Sequence, residues 1–384
     1  RVFSWAFRLL RHPVGQWPRE LLPLLLLLGL LVVASFISST ALIGRASSGL
    51  SNPSQLIWLA VALWAATAVT SVVATFVLRY AGDAAAYLSA SPDTAVLRHE
   101  LREAGVSLLL RLHDPSHTKY DRIMVVGHSL GSVIAYEIIQ HAWATMNEKH
   151  GCLDRPRSEV LERSERFASK TSWQTVRGEP NTLVAATWQQ HSARLWREQR
   201  SNGSPWLVTD LVSLGSPLAH ADLLLTSGSG DFERRKREGE LPTAPPVLSP
   251  WEDSAELAAC DGPPARTFSY PVNYESAVGK RTTSVVEPAA VFAITRWTNL
   301  YFPASLGVLG DPISGPVSPK FGSGVRDVKL RTAAKIEWFR HGWYWRRSHL
   351  NAFALGKLRE VLDLERSHLL AERNSPGTED GGGR

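Results

Sequence analysis

The sequence predicts an α/β domain, a mainly parallel sheet flanked by helices, behind a hairpin of two membrane-spanning helices. Three observations predict it. Two long uncharged apolar runs fill most of residues 1–78. A β-branched run, Asp121-Arg-Ile-Met-Val-Val126, passes through a G-x-S-x-G turn into a helical pattern over about 132–146. Further apolar strand-like segments follow at 206–214, 291–302 and 325–332, with helical or irregular chain between them.

The first 78 residues stand apart. Residues 21–44 and 46–78 carry no charged side chain. Within them 21–43 and 56–78 are long and apolar enough to cross a hydrocarbon layer about 30 Å thick as helices. A buried core helix is shorter and shows a polar face. Arg1, Arg8, Arg11 and Arg19 precede the first run, Arg79, Arg98 and Arg102 follow the second, and the connection holds only Arg45. Basic residues stay on the cytoplasmic side, so both ends are expected there, with the hairpin tip outside. The expected location is therefore the cell (inner) membrane, multi-pass, with the domain of residues 79–370 in the cytoplasm.

Residues 79–112 read as helix, anchored by Leu97, Leu101, Val106 and Leu108 to Leu110. The strand and helix around 121–146 come next. A polar, mostly helical insertion at about 149–200 carries a loose stripe of Val184, Trp188, Leu195 and Trp196. It serves either as a lid over a substrate or as a helix packed on the core. Residues 226–266 are rich in Gly, Pro, Ser and charge and read as an irregular excursion. Its Arg234-Arg-Lys-Arg237 run is a solvated stretch or a contact for anionic headgroups. The tail at 371–384 reads as disordered.

Composition narrows the function classes. A chain of 384 residues, 44% of them hydrophobic, holds one sizeable domain plus accessories. Its two cysteines, Cys152 and Cys260, are too few for a disulfide framework. No His and Cys cluster has zinc spacing, so neither a metal nor another cofactor is expected. The net charge of +6 lies largely beside apolar segments. That suits an anionic bilayer rather than nucleic acid, for which no base-reading motif is present.

The chemistry-bearing stretch is Gly127-His128-Ser129-Leu130-Gly131. A serine hydroxyl is a poor nucleophile until a sharp strand-to-helix turn lifts it out of the fold toward a base. Glycines two before and two after it allow the tight turn. The backbone N–H of Leu130, at the start of the helix, is the expected first oxyanion donor. No loop of the usual kind supplies a second one: either the sheet is abbreviated or donors come from around Gly82. A base and an acid should follow on loops after late strands, in the order Ser, acid, His. Asp311, in the Gly- and Pro-rich loop after 291–302, is the favoured acid, with Asp327 its rival. His341, in Phe339-Arg-His-Gly-Trp-Tyr-Trp345, is the favoured base over His349. His128, fixed beside the serine, is expected to be structural.

The run GHSLGSVIAYEII and the later Leu214-Gly-Ser-Pro-Leu218 resemble the α/β-hydrolase lipases, and most closely the DDHD-type intracellular phospholipases and their bacterial membrane-bound relatives. Gly82-Asp83 with Tyr87, Trp297-Thr-Asn-Leu-Tyr-Phe-Pro303 leading to Asp311-Pro312, and an H-x-x-Y-W at His341 to Trp345 fit the same likeness, in blocks between about 79 and 350. The resemblance implies a serine lipase or esterase fold. The sequence thus points to a membrane-anchored serine hydrolase cleaving a carboxylic ester, in the first place a lipid acyl ester such as that of a phospholipid, through Ser129, His341 and Asp311. A thioesterase or peptidase would use the same triad, and a non-catalytic membrane-bound scaffold is the reading from another class.

Overall fold

The computed structural model describes residues 61, 64–65, 87, 92–116, 120–150, 158–171, 182–247, 267–276, 279–304, 310–333 and 340–363. The expected membrane span at 21–43, that at 56–78 apart from residues 61 and 64–65, Gly82-Asp83, and the tail at 371–384 lie outside these. Among the described residues no helix is long and apolar enough to cross a membrane.

Four parallel strands carry the domain: β1 (Ile123–His128), β2 (Val208–Leu214), β5 (Arg296–Tyr301) and β6 (Arg326–Lys329), hydrogen-bonded in the order β1-β2-β5-β6. Parallel neighbours cannot be joined by tight turns, so each connection crosses over, and helices cover the faces. β2 is fully buried along its length, as an inner strand of such a sheet should be, whereas β1 and β6 are only partly buried. Among the described residues β1 pairs with β2 alone and stands at one end of the four-stranded order.

The pleat sends side chains alternately to two cores. Leu211 of β2 and Trp297 of β5 join the larger cluster, and Val212, Leu214 and Leu300 join the smaller one on the opposite face. The larger core is built on α2 (Leu130–His150), whose Val133, Tyr136, Ile139, Trp143 and Met146 recur at helical spacing and are buried. Tyr136 meets Phe292 at 5.7 Å and Trp297 at 5.3 Å between ring centroids, and Phe292 stacks on Trp297 at 4.8 Å. These aromatic pairs hold α2 firmly against the sheet. The helix α1 (Pro92–His113) packs along α2, and Arg98 and Tyr87 both bond the buried Glu137 of α2. The smaller core is closed by α8 (Ala352–Leu362) through Ala354 and Leu358.

The insertion forms α3 (Glu159–Thr171), capped by Ser158 Oγ at Leu161 N, and α4 (Thr182–Ser201). α4 is a core helix. Trp188 and Leu195 are buried, Trp188 Nε1–H donates to Phe292 O, and Gln189 donates to Trp297 O on β5. The sequence left lid and core helix open, and the packing is that of the second.

Four segments depart from expectation. Within 226–266 the chain forms a helix, α6 (Ser229–Arg237), following the short α5 (Ala221–Leu224). The basic run lies on α6 and is largely paired, Arg234 with Asp231 and Glu238, Arg235 with Glu240, and Lys236 with Glu233. An antiparallel hairpin, β3 (Ser269–Ser276) and β4 (Gly279–Val286), was not foreseen. Glu165 of α3 anchors it, accepting from Ser269 Oγ at 2.6 Å and Phe268 N at 3.3 Å. The strand expected over 291–302 opens with a 3₁₀ turn (Pro288–Ala293), and the last strand is shorter than 325–332. The single turn α7 (Ser318–Phe321) precedes it.

Candidate active site

Ser129 occupies the step between β1 and α2 with φ of 54°, and among the described residues only Asp363 shares a positive φ without being glycine. Left-handed backbone at a serine is strained by about 1–3 kcal/mol and persists where the surroundings over-determine it. Ser129 N donates to Leu214 O at the end of β2 (2.9 Å), and Ser129 O receives Ser132 N (2.9 Å) with Ser132 Oγ at 2.6 Å. Ser132 Oγ also lies 2.6 Å from Ser216 Oγ, which ties this strand-to-helix turn, the elbow, to the loop after β2.

The two motif glycines are not equivalent. A Cβ on Gly127 would sit 2.5 Å from both Gly131 O and Ser132 Cα, so a larger residue cannot fit. A Cβ on Gly131 would meet nothing within 4 Å, which corrects the expectation that both positions need glycine for clearance.

The three residues expected to act together are brought together. His341 Nε2 is 2.8 Å from Ser129 Oγ, and His341 Nδ1 is 3.1 and 3.0 Å from Asp311 Oδ1 and Oδ2. Because a carboxylate only accepts, Nδ1 carries the proton and Nε2 faces the serine hydroxyl as the acceptor. His341 and Asp311 are buried, at 1% and 0% exposure, while Ser129 is half-buried and open to approach. A water-free base next to a reachable nucleophile is the arrangement that general-base activation requires.

Each partner is held by its own loop. Asp311 follows β5; its Oδ1 accepts Ile313 N (3.1 Å) and its Oδ2 accepts Tyr344 Oη–H (2.8 Å). Arg340 N donates to Gly310 O, pinning the loop of the base to the loop of the acid. Trp343 stands between Arg340 and Arg346, with guanidinium carbons 3.6 and 4.5 Å from its ring centroid. Asn351 Nδ2 donates to Trp343 O and Arg346 O, fastening the base loop to the start of α8.

His128, expected to be structural, lies against the back of His341. Its Nε2–H donates to His341 O (2.8 Å) and its ring lies 5.0 Å from that of His341. Burial lowers its pKa, the bond to the His341 carbonyl opposes that shift, and the nearby imidazole adds to it. Asp327 is spent elsewhere: it accepts Val317 N, Ser318 N and Asn299 Nδ2 at 2.9, 2.9 and 2.7 Å. His349 is exposed at the 3₁₀ turn before α8.

The Leu130 N–H, the expected oxyanion donor, is the first of α2, where no carbonyl of the helix can reach it. Gly82, the other candidate region for a donor, lies outside the described residues. Among the described residues no His, Cys, Asp and Glu group could hold a metal ion. A groove of about 1140 Å³ runs between α4 and β6, and a cavity of about 410 Å³ adjoins Ser314 and Tyr301; Ser129 lines neither.

Sequence reasoning missed two parts of this site. Tyr344 was read as part of the H-x-x-Y-W likeness at His341 to Trp345, with no contact to the acid assigned to it. Gly215, with φ of 58°, packs against it: a Cβ there would lie 2.7 Å from Tyr344 Cε2 and 3.1 Å from Asp311 Oδ2. Compared with family models, curated proteins and solved structures, the chain matches none.

Proposed function

We propose that this protein is a membrane-anchored serine hydrolase of α/β-hydrolase type that cleaves carboxylic esters, with a lipid acyl ester as its substrate class. The observation that carries the reading is the continuous hydrogen-bond relay from Ser129 Oγ through His341 to Asp311, at 2.8 and 3.0 Å. The strained serine, presented at the carboxyl end of a parallel strand, supports it. The resemblance to DDHD-type phospholipases and the two apolar runs before the domain support a lipid substrate. The runs would tether the site beside the bilayer, with the domain on the cytoplasmic side of the inner membrane.

The steps follow from the proton positions. His341 Nε2 takes the Ser129 proton as Oγ attacks the acyl carbon, and the resulting oxyanion lies against the Leu130 N–H at the positive end of α2. Asp311 keeps the proton on Nδ1 and stabilises the imidazolium. Nε2 then protonates the leaving alcohol, leaving an acyl-Ser129. A water, deprotonated by the same nitrogen, hydrolyses that ester and returns the serine. No cofactor takes part in this sequence.

Ser129→Ala tests the proposal. The variant is expected to melt like the parent, to lose fluorophosphonate labelling, and to lose ester hydrolysis by a factor on the order of 10⁶. Retention of more than about a tenth of the activity would assign the chemistry elsewhere, because loss of a triad nucleophile is near-total. A parent protein that neither labels nor hydrolyses short-chain esters would favour the non-catalytic scaffold.

A further inference from the structure

We propose that Tyr344 is a positioning residue for the acid of this site: its phenol hydrogen bond locks the Asp311 carboxylate in the plane of the His341 imidazole and shares its charge. The assignment rests on the serine hydrolase reading, but its geometry stands separately. Tyr344 is 1% exposed, so its hydroxyl touches no solvent and serves only internal partners. It donates to Asp311 Oδ2 (2.8 Å), accepts Phe302 N at the end of β5 (3.3 Å), and lies 3.2 Å from Ser314 Oγ on the acid loop. One oxygen thus joins the strand end, the acid loop and the base loop.

The chemistry of a buried carboxylate explains why such a residue is needed. Asp311 lies at 0% exposure, and an ionised carboxylate without water must be met by donors. Here it has three: Ile313 N–H, Tyr344 Oη–H and His341 Nδ1–H. The third changes in strength as Nε2 gains and loses its proton, so the first two supply the constant part of the field on the carboxylate. The phenol must therefore stay protonated, and it does: burial, followed by the charge of Asp311, pushes its pKa well above the ordinary tyrosine value. The ring is immobilised as well, with Gly215 beneath it and Phe302 at 5.0 Å.

Charge sharing gives the proposal a signature that simple packing lacks. With the phenol hydroxyl removed, the carboxylate directs more of its charge at His341, so the imidazolium is favoured and the unprotonated base appears at higher pH. Tyr344→Phe is expected to lower kcat about tenfold to a hundredfold, the range for a hydrogen bond to a charged group. KM should hardly move, since the hydroxyl faces no substrate. The acidic limb of the kcat/KM profile should shift to higher pH.

The experiment is a double-mutant cycle of Tyr344→Phe with Asp311→Asn in the full-length protein. It would be read by ester kinetics across pH and by the imidazole Nδ1–H resonance of His341 in ¹⁵N-histidine-labelled protein. With Asp311 already replaced, Tyr344→Phe should cost less than about threefold, because residues acting through one another are not additive. An equal loss on both backgrounds, with no change in the pH limb, would make Tyr344 merely structural and overturn the proposal. The resonance decides the matter even if the protein hydrolyses nothing: Tyr344→Phe should move it, and an unmoved signal refutes the positioning role. Should Tyr344→Phe fail to fold, 3-fluorotyrosine at position 344 replaces it. Its stronger donor should move the acidic limb and the resonance in the opposite sense, and no movement sinks the idea.

Discussion

Gly215→Ala is the perturbation whose effect follows most directly from the geometry. Gly215 turns the chain at the end of β2 with φ of 58°, and its N–H donates to Leu300 O on β5 (3.1 Å). Two costs arise when a methyl group is added. Left-handed backbone at a residue with a Cβ costs about 1–2 kcal/mol relative to glycine. The methyl would also lie 2.7 Å from Tyr344 Cε2 and 3.1 Å from Tyr344 Cζ and Asp311 Oδ2, where nothing is at the end of a flexible chain. Overpacking of that kind costs about 1–3 kcal/mol. The sum is about 2–5 kcal/mol, or a fall in melting temperature of roughly 4–20 °C at 2–4 °C per kcal/mol.

Activity should suffer beyond stability. Relief of the clash must push Tyr344 and Asp311 away from β2, and with them the orientation of His341. A misplacement approaching 1 Å at a reacting group costs on the order of a hundredfold. The assay pairs thermal unfolding with the rate of fluorophosphonate labelling, measured well below the melting temperature of the variant. A folded Gly215→Ala protein within about 0.5 kcal/mol of the parent, the range of innocuous surface changes, and labelling at the parental rate would refute the packing argument.

Two further outcomes follow. Asp327→Asn should cost about 1–3 kcal/mol, because Val317 N and Ser318 N then compete for a single amide oxygen. It should lower ester hydrolysis far less than Asp311→Asn, and the reverse order, measured side by side, would move the acid to β6. The second outcome concerns pH. Burial holds His113 below its ordinary pKa; its Nδ1–H donates to Leu109 O (2.7 Å), and its buried Nε2 has no hydrogen-bond partner among the described residues. The unfolded chain therefore takes the proton first. Stability present above about pH 6.5 should fall as the pH drops through that value toward the folded pKa, and His128 contributes with the same sign. His113→Phe, which keeps a ring on Trp206, should flatten the melting temperature between about pH 7 and pH 5. A parent protein that melts higher at the acidic end would contradict this.

What was legible in the sequence is what local chemistry writes into a few consecutive residues. β1, the turn and α2 were readable because a β-branched run, two glycines and a helical stripe lie side by side. Asp311 and His341 were readable from their order after late strands. α6 was not: its stability comes from the single buried Phe232 and from ion pairs one turn apart, so its composition imitates a loop. The β3–β4 hairpin was hidden by Pro271, which argues against an inner strand. It is tolerated because both strands of a two-stranded ribbon are edges.

Tyr344 and Gly215 fall in a third class, in which each residue is ordinary in its own segment. The H-x-x-Y-W and Leu214-Gly-Ser-Pro-Leu218 likenesses mark the tyrosine and the glycine, but neither says what the residue touches. Their roles arise because β2, β5 and the base loop end at one place, so that the glycine makes room for the ring and the ring reaches the carboxylate. The elbow shows the same division within one motif. Gly127 is required by atoms of Gly131 and Ser132, close in sequence, and the motif records it. The strain at Ser129 is held by Leu214 O and Ser216, more than eighty positions away, and the five-residue pattern contains nothing of that support. A G-x-S-x-G sequence therefore specifies a turn, whereas a reactive serine also requires the neighbouring strand to end where β2 does.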